Sequence, residues 1–314
     1  MSLRISNSRS QSPRTLRAAA VVMAAAIVCG ATGAQDTEPL PDPQALYRAV
    51  RDNLVRAERV THLYAFKERR TDIHRNPFGR IGTDGKRTHE VYPSPNRQLT
   101  YRRLVELNDA PVGAEEIEKQ DRRYRARAAD VRRELASEDP DERRRLKADL
   151  ARARERRQRR IEDVVDALQF KVERREMYEG VPAVIVSFTP RPGARPDTRG
   201  GRLARSFAGE VWIHEAAAEV MRVEATSIDN LSFGFGIIAR VGKGAEATLT
   251  RRLVEGDLWM LTQLTLKGRG RAAIFRTLVV DFVVDWFDYR RLAGDSATPF
   301  LDSRVQGKSD GGPQ

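Results

Sequence analysis

From Gln169 to Arg290 nearly every strand follows the last by a turn too short for a crossover. FKVERREMY and VPAVIVSFTP flank Glu179-Gly180, and AGEVWIHE and AEVMRVEATSID flank the short Ala216-Ala217 region. Residues 243 to 255, 257 to 267 and 270 to 290 supply three more strands, with Glu255-Gly256-Asp257 and Gly268-Arg269-Gly270 read as hairpin turns. Parallel neighbours need a connection of a dozen residues or more, so strands tied this tightly must run antiparallel. Pro190 to Arg202 (PRPGARPDTRGGR) reads as a basic loop rich in breakers. Upstream, Val60 onward has a period of two, with His62, Tyr64 and Phe66 alternating with Thr61, Leu63 and Ala65. Strands also fit 86 to 92 and 98 to 107, after a turn region at 76 to 85.

Two segments are helical. Residues 44 to 58 place Leu46, Val50 and Leu54 four apart, with Tyr47 and Val55 nearby, as one apolar stripe. Residues 113 to 168 hold no glycine after Gly113 and are rich in Ala, Arg, Glu and Leu. They divide at SEDPDE, where Asp139 can cap, Pro140 suits the first turn and Glu142 completes a capping box. The spacing predicts an antiparallel helical hairpin. The fold class expected is α+β: a curved antiparallel sheet with a few helices.

The N-terminus predicts where the chain works. Arg4, Arg9, Arg14 and Arg17 precede an uncharged apolar run, Ala18 to Val28, and then small residues to Ala34. That order is the pattern of a secretory signal peptide, with cleavage expected near Ala34. The run is too short to span a bilayer. Residues 35 to 43 read as a flexible leader, 44 to 292 as the folded domain, and 293 to 314 as a polar, disordered tail. Cys29 is the only cysteine and lies inside the signal, so the exported chain has no thiol for disulfide, metal or nucleophile.

The net charge is +12, and residues 121 to 160 hold sixteen Arg and Lys against nine Asp and Glu. Such a run is a solvated helix face or a contact for an anionic membrane surface. Export argues against nucleic acid as the partner. No catalytic or metal centre is visible. Gly236 to Gly244 (GIIARVGKG) is one residue too long between glycines for a phosphate loop and lacks its Ser or Thr. Of the four histidines, His62, His74, His89 and His214, no two have zinc-helix spacing. No cofactor is expected, and no enzyme chemistry.

The apolar strand residues are either a plain core or the floor of a lipid site. One alternating set per strand gives the cavity candidates Tyr64, Phe66, Val211, Ile213, Met221, Val223, Leu258, Met260, Leu264, Ile274 and Leu278.

GEVWIHEAAAEVMRVE (Gly209 to Glu224) resembles the strand-turn-strand of LolA-like proteins, the periplasmic outer-membrane lipoprotein-sorting family, and GVPAVIVSFTPRP is similar to the strand before it. The resemblance implies an incomplete β-barrel whose hydrophobic concave face is covered by helices and receives acyl chains of lipids or lipoproteins, without catalytic residues or cofactors. His214 departs from the acidic residue usual in that motif, and the basic hairpin 113 to 168 is an insertion. The alternative is a periplasmic sensor or scaffold that meets protein partners through that insertion.

Overall fold

In the computed structural model, residues 39–73, 85–94, 99–136, 139–233, 239–272 and 276–292 are described. The chain divides after Pro39, and the unit from Leu40 on holds every described helix and strand. The leader to residue 38, Ile274, the tail 293–314 and most of the 76–85 turn lie outside the described residues.

The expected α+β class is found: one curved antiparallel sheet, open and not closed into a barrel, with a few helices. In chain order the elements are α1 (Pro43–Val60), a single 3-10 turn (Thr61–Leu63), β1 (Tyr64–Asp72), β2 (Lys86–Tyr92), β3 (Tyr101–Leu107), β4 (Ala110–Pro111), α2 (Ala114–Leu135) and α3 (Pro140–Asp166). Then come β5 (Leu168–Tyr178), β6 (Val181–Pro190), α4 (Arg199–Ala204), β7 (Phe207–His214), β8 (Glu219–Ser227), β9 (Leu231–Phe233), β10 (Ala239–Val241), β11 (Glu246–Glu255), β12 (Leu258–Ala272) and β13 (Arg276–Arg291). The hydrogen-bonded order is β4-β3-β2-β1-β13-β12-β11-β8-β7-β6-β5, with β10 pairing β12 and β9.

The curvature has local causes. Register shifts interrupt β1/β13, β2/β3, β5/β6, β7/β8 and, twice, β11/β12. Each inserts a residue that bends and overtwists its strand. Gly209 lets β7 press against β8: a Cβ there would lie 1.9 Å from the Glu224 carbonyl oxygen. The β5–β6 turn uses positive φ at Glu179 (49°) and Gly180 (83°), as a two-residue hairpin turn requires.

The 113 to 168 insertion joins the two end strands of the sheet. Asp42 caps α1 by accepting from Ala45 N at 2.8 Å, and Asp139 caps α3 by accepting from Asp141 N at 2.8 Å, each with proline in the first turn. The root of α2 docks beside β3: the Tyr124 ring stacks on Tyr101 (centroids 4.2 Å), its hydroxyl donates to Leu99 O (2.9 Å), and Asp121 accepts from the Tyr101 hydroxyl. With Ala65, Tyr92 and Ala128 these residues form one buried cluster. The C-terminal part of α3 docks elsewhere, through Arg160 to Glu58 of α1 (2.9 Å) and through Asp163. Asp163 accepts from the backbone N of Asp197 and Thr198 and from the Thr198 hydroxyl.

Two sequence expectations need correction. The breaker-rich loop at 190–202 ends in a short helix, α4, capped by Thr198, whose side chain accepts from Gly201 N. Gly268-Arg269-Gly270 is no turn but the interior of β12, pairing with Val280, Val279 and Leu278. Gly268 is needed for space, since a Cβ would meet Val241 at 2.6 Å and Ala245 at 2.9 Å. The β12–β13 connection falls at 273–275, outside the described residues.

Candidate functional site

Directly opposed residues in neighbouring strands share a face of the sheet. The registers therefore trace rows across it. One row runs Val172, Val186, Val211, Val223, Leu249, Leu264 and Val284, from β5 to β13. It then passes to Arg70 on β1 and Arg87 on β2. The alternate row runs Lys171, Ser187, Glu210, Glu224, Thr248, Thr265, Val283, Thr71 and Lys86. The first row is thus aliphatic over seven strands, while the alternate row is mostly polar, though further along the same side Ala183, Ile185, Trp212 and Met221 form a buried apolar cluster.

The apolar face is covered unevenly. Over β5 to β8 helices pack on it: Leu46, Tyr47, Val50 and Leu54 of α1, Val164 of α3 and Ala204 of α4 lie against Val184, Val186, Phe188, Val211 and Ile213. This is the stripe expected from the 44 to 58 spacing. At its far end α1 is tied by polar contacts. Asn53 donates to the carbonyls of Ala217 (2.9 Å) and Ala218 (3.0 Å), and Arg56 pairs with Asp257 (2.7 Å). Ala57 closes a second cluster with Tyr64, Leu258 and Met260. Beyond α1, on β11 to β13, Leu249, Leu264, Leu266, Phe282 and Trp286 of this face retain partial exposure, while Val284 among them is buried.

The sequence-derived candidates sort accordingly. Val211, Ile213 and Val223 belong to the cluster under α1. Tyr64, Leu258 and Met260 form the adjoining cluster. Phe66 lies two residues along β1 from Tyr64 and packs on Tyr289 (centroids 5.4 Å). Leu264 lies in the aliphatic row, and Leu278 packs with Leu231, Val241 and Ala245. Met221 does not join them. The register passes from Trp212↔Arg222 to Ile213↔Val220, leaving Met221 as the extra residue of a bulge. The bulge reverses the alternation, and Met221 packs with Ala183, Ile185 and Trp212 on the opposite side from Val220. Ile274 lies outside the described residues.

Sequence reasoning missed the polar end of the face. On β1, Glu68, Arg70 and Asp72 continue the parity of Tyr64 and Phe66. Arg70 pairs with Asp72 (2.9 Å) and lies 4.1 Å from the centre of the Phe282 ring. Glu68 accepts from Trp286 Nε1 (3.1 Å) and pairs with Arg102. His89 stands opposite Glu68; burial, then the charge of Arg102, holds its pKa below the usual imidazole value. Alternating charges inside a strand are a legible signal, but only the pairing of β1 with β13, more than two hundred residues away, sets them at the end of an apolar row.

A buried ion pair sits beside α1. Arg251 donates to Glu219 (2.9 Å) and to the Trp259 carbonyl (2.7 Å), with side chains 8% and 3% exposed. Burial depresses the Arg251 pKa, against the attraction of Glu219. A groove of about 450 Å³ across β7, β8 and β11 is lined by Glu210, Glu224, Thr226, Glu246 and Thr248 with the backbone of Gly209, and none of the cavity candidates lines it. His214 serves its turn: Nδ1 accepts from Ala217 N (3.2 Å) and the ring meets Trp259 edge-on. Among the described residues, no three of His, Cys, Asp and Glu converge as metal ligands, and no helix is long and apolar enough to cross a membrane.

No protein-family model matches the chain, and no curated protein matches it. Among solved structures it is similar to a DUF1329 family protein from Desulfovibrio piger ATCC 29098, with 14% identity and a TM-score of 0.30 over 82% of this chain and 98% of that one. It is also similar to MucB in complex with MucA(peri), with 9% identity and a TM-score of 0.21 over 80% and 100% of the two chains. For the Pseudomonas aeruginosa MucA/MucB complex the values are 10%, 0.21, 78% and 99%.

Proposed function

We propose that the protein is an exported, LolA-like carrier that holds the acyl chains of a lipid or lipoprotein noncovalently on the α1 side of its open sheet. The supporting observation is the aliphatic row from Val172 to Val284, overlain by α1, α3 and α4 over β5 to β8, with Leu249 and Leu264 only partly buried beyond them. Leu249, Leu264, Leu266 and Phe282 are neighbours on one face and only partly covered, as an apolar binding surface requires. Each methylene moved from water onto such a surface contributes about 0.8 kcal/mol. The basic leader, apolar run and small residues before Gln35 support the periplasm as the compartment. No covalent step belongs to this activity.

The test is binding of a fluorescent fatty acyl probe to mature protein purified without detergent. The probe should brighten saturably, and Leu249→Asp with Leu264→Asp should weaken binding by at least about tenfold, the equivalent of about two methylenes. Probe fluorescence that stays flat up to saturating protein would contradict the proposal.

A second reading concerns the arm. Arg144, Arg145, Lys147, Arg152 and Arg159 of α3 are exposed, beyond the part of α3 that docks through Asp163. Such a surface suits an anionic membrane, at about 1 kcal/mol per well-placed cation. Co-sedimentation with phosphatidylglycerol vesicles should fall when these five are changed to Gln; unchanged sedimentation would leave the arm a solvated face.

A further inference from the structure

The two ends of the hydrogen-bonded path, β4–β3 and β5, do not pair with each other, and the α2–α3 hairpin runs from one to the other. It is docked at both. At the β3 end α2 is held by packing and by a strand mimic. Tyr124 and Ala128, 2% and 0% exposed, lie in the cluster with Tyr101 and Tyr92. The Gln120 amide takes the place of a neighbouring strand: it accepts from Leu104 N (2.9 Å) and donates to Leu104 O (3.2 Å). At the β5 end the fixed points of α3 are mainly polar. Val164 packs on the core, while Asp163 accepts from Asp197 N (3.0 Å), from Thr198 N (2.7 Å) and from the Thr198 hydroxyl. Arg160 reaches Glu58, with side chains 42% and 33% exposed. Gly201 is kept bare for the Asp163 carboxylate: a Cβ there would lie 2.8 Å from Asp163 Cγ and 2.5 Å from Pro196 Cβ. Between the docks α2 meets α3, and α3 meets α1 and α4.

We propose that the hairpin is a strap that holds the two ends of the open sheet at a set separation, anchored on β3 and latched at Asp163 beside β5. A connection that merely carried the chain across the gap would need neither dock, since a flexible loop costs little more as it lengthens. The docks also differ in kind. Undoing the β3 end exposes stacked rings and strips the Leu104 backbone of its partner. Undoing the β5 end returns one carboxylate and one half-exposed ion pair to water, which satisfies both. The β5 end is therefore the one that gives. From Asp163 back to Pro140 α3 is about 35 Å long, so a pivot of about 10° at the latch swings its far end by about 6 Å. Because α2 is fixed to β3, the swing passes to the gap between the sheet ends. This role goes beyond acyl binding and does not depend on it.

The experiment measures the gap in ligand-free protein. Cys29 lies in the leader, so the exported chain carries just the two thiols introduced by Glu106→Cys on β3 and Met177→Cys on β5, both at exposed positions. Spin labels on them report the separation by pulsed dipolar spectroscopy. One narrow distance is expected with the strap intact. Asp163→Ala, and Gly201→Ala, which crowds the same carboxylate, should each move the mean by about 5 Å or more. Arg160→Gln with Thr198→Ala is the milder variant, for use if either of those fails to fold by circular dichroism, and it should widen the distribution. A distance that keeps its mean and width in every folded variant would overturn the strap. So would a broad distribution in the protein with its latch intact.

Discussion

Gly209→Ala adds one methyl group at the most crowded point of the sheet, and its cost can be worked from the structure. The new Cβ would lie 1.9 Å from the Glu224 carbonyl oxygen and 2.9 Å from the Ala225 Cα. Both are backbone atoms, so no side chain can swing away. Ordinary contact needs roughly 3.5 Å, so β7 and β8 must part by more than about 1 Å. Overpacking of this kind costs about 1–3 kcal/mol, and each adjacent ladder hydrogen bond that stretches adds up to about 1 kcal/mol. A loss of about 3 kcal/mol results, read as a lower urea midpoint at an unchanged m-value. The control is Gly113→Ala, where no atom lies within 4 Å of the added Cβ, and where the change should be about 0.5 kcal/mol or less. A Gly209→Ala protein within about 0.5 kcal/mol of wild type would refute the claim that close strand approach at this glycine shapes the curved sheet.

Three further outcomes are set by the packing and the charges. Arg251→Met leaves Glu219 buried without its main partner and should cost about 3–5 kcal/mol, whereas Arg251→Met with Glu219→Leu should recover most of that loss in urea melts. Tyr124→Ala removes a ring 2% exposed that anchors α2, costing about 3–5 kcal/mol locally; hydrogen exchange should rise in α2 and stay low in β6 and β7. The folded pKa of His89 is depressed by burial, then by Arg102, so its contribution is present above the unfolded value of about 6.5 and lost as pH falls through the folded value. Glu215, held down by its hydrogen bonds from Arg175, adds a second loss at lower pH. Urea midpoints from pH 7 to pH 4 should fall in both ranges, and His89→Gln should flatten the upper one; an unchanged upper slope would exclude His89 as its source.

Much of this architecture is legible in the chain because its signals are local. The stripe of Leu46, Val50 and Leu54 is the stripe that packs, Asp139 caps the helix that Pro140 opens, and Glu179-Gly180 makes the turn. Alternation alone put Val211, Val223 and Leu264 in one row. What failed depends on neighbours. Nothing around Met221 announces a bulge, because the extra residue is defined by how β7 pairs with β8. The glycines of β12 read as a turn, yet Gly268 makes room for Val241 and Ala245, which come from other elements. The cationic end of the apolar face is set by β1 lying beside β13, a pairing across most of the chain. In sequence its alternating charges are legible, but their place beside the apolar row is not.

The central claim is that acyl chains rest on the uncovered half of the aliphatic row. The direct measurement is intermolecular NOE contact between a 13C-labelled acyl chain and the methyl groups of a fully assigned protein. Contacts should cluster on Leu249, Leu264, Leu266 and Phe282, beside α1 and not beneath it. Contacts confined to the polar groove at Glu210 and Glu224, or none at saturating ligand, would contradict the account.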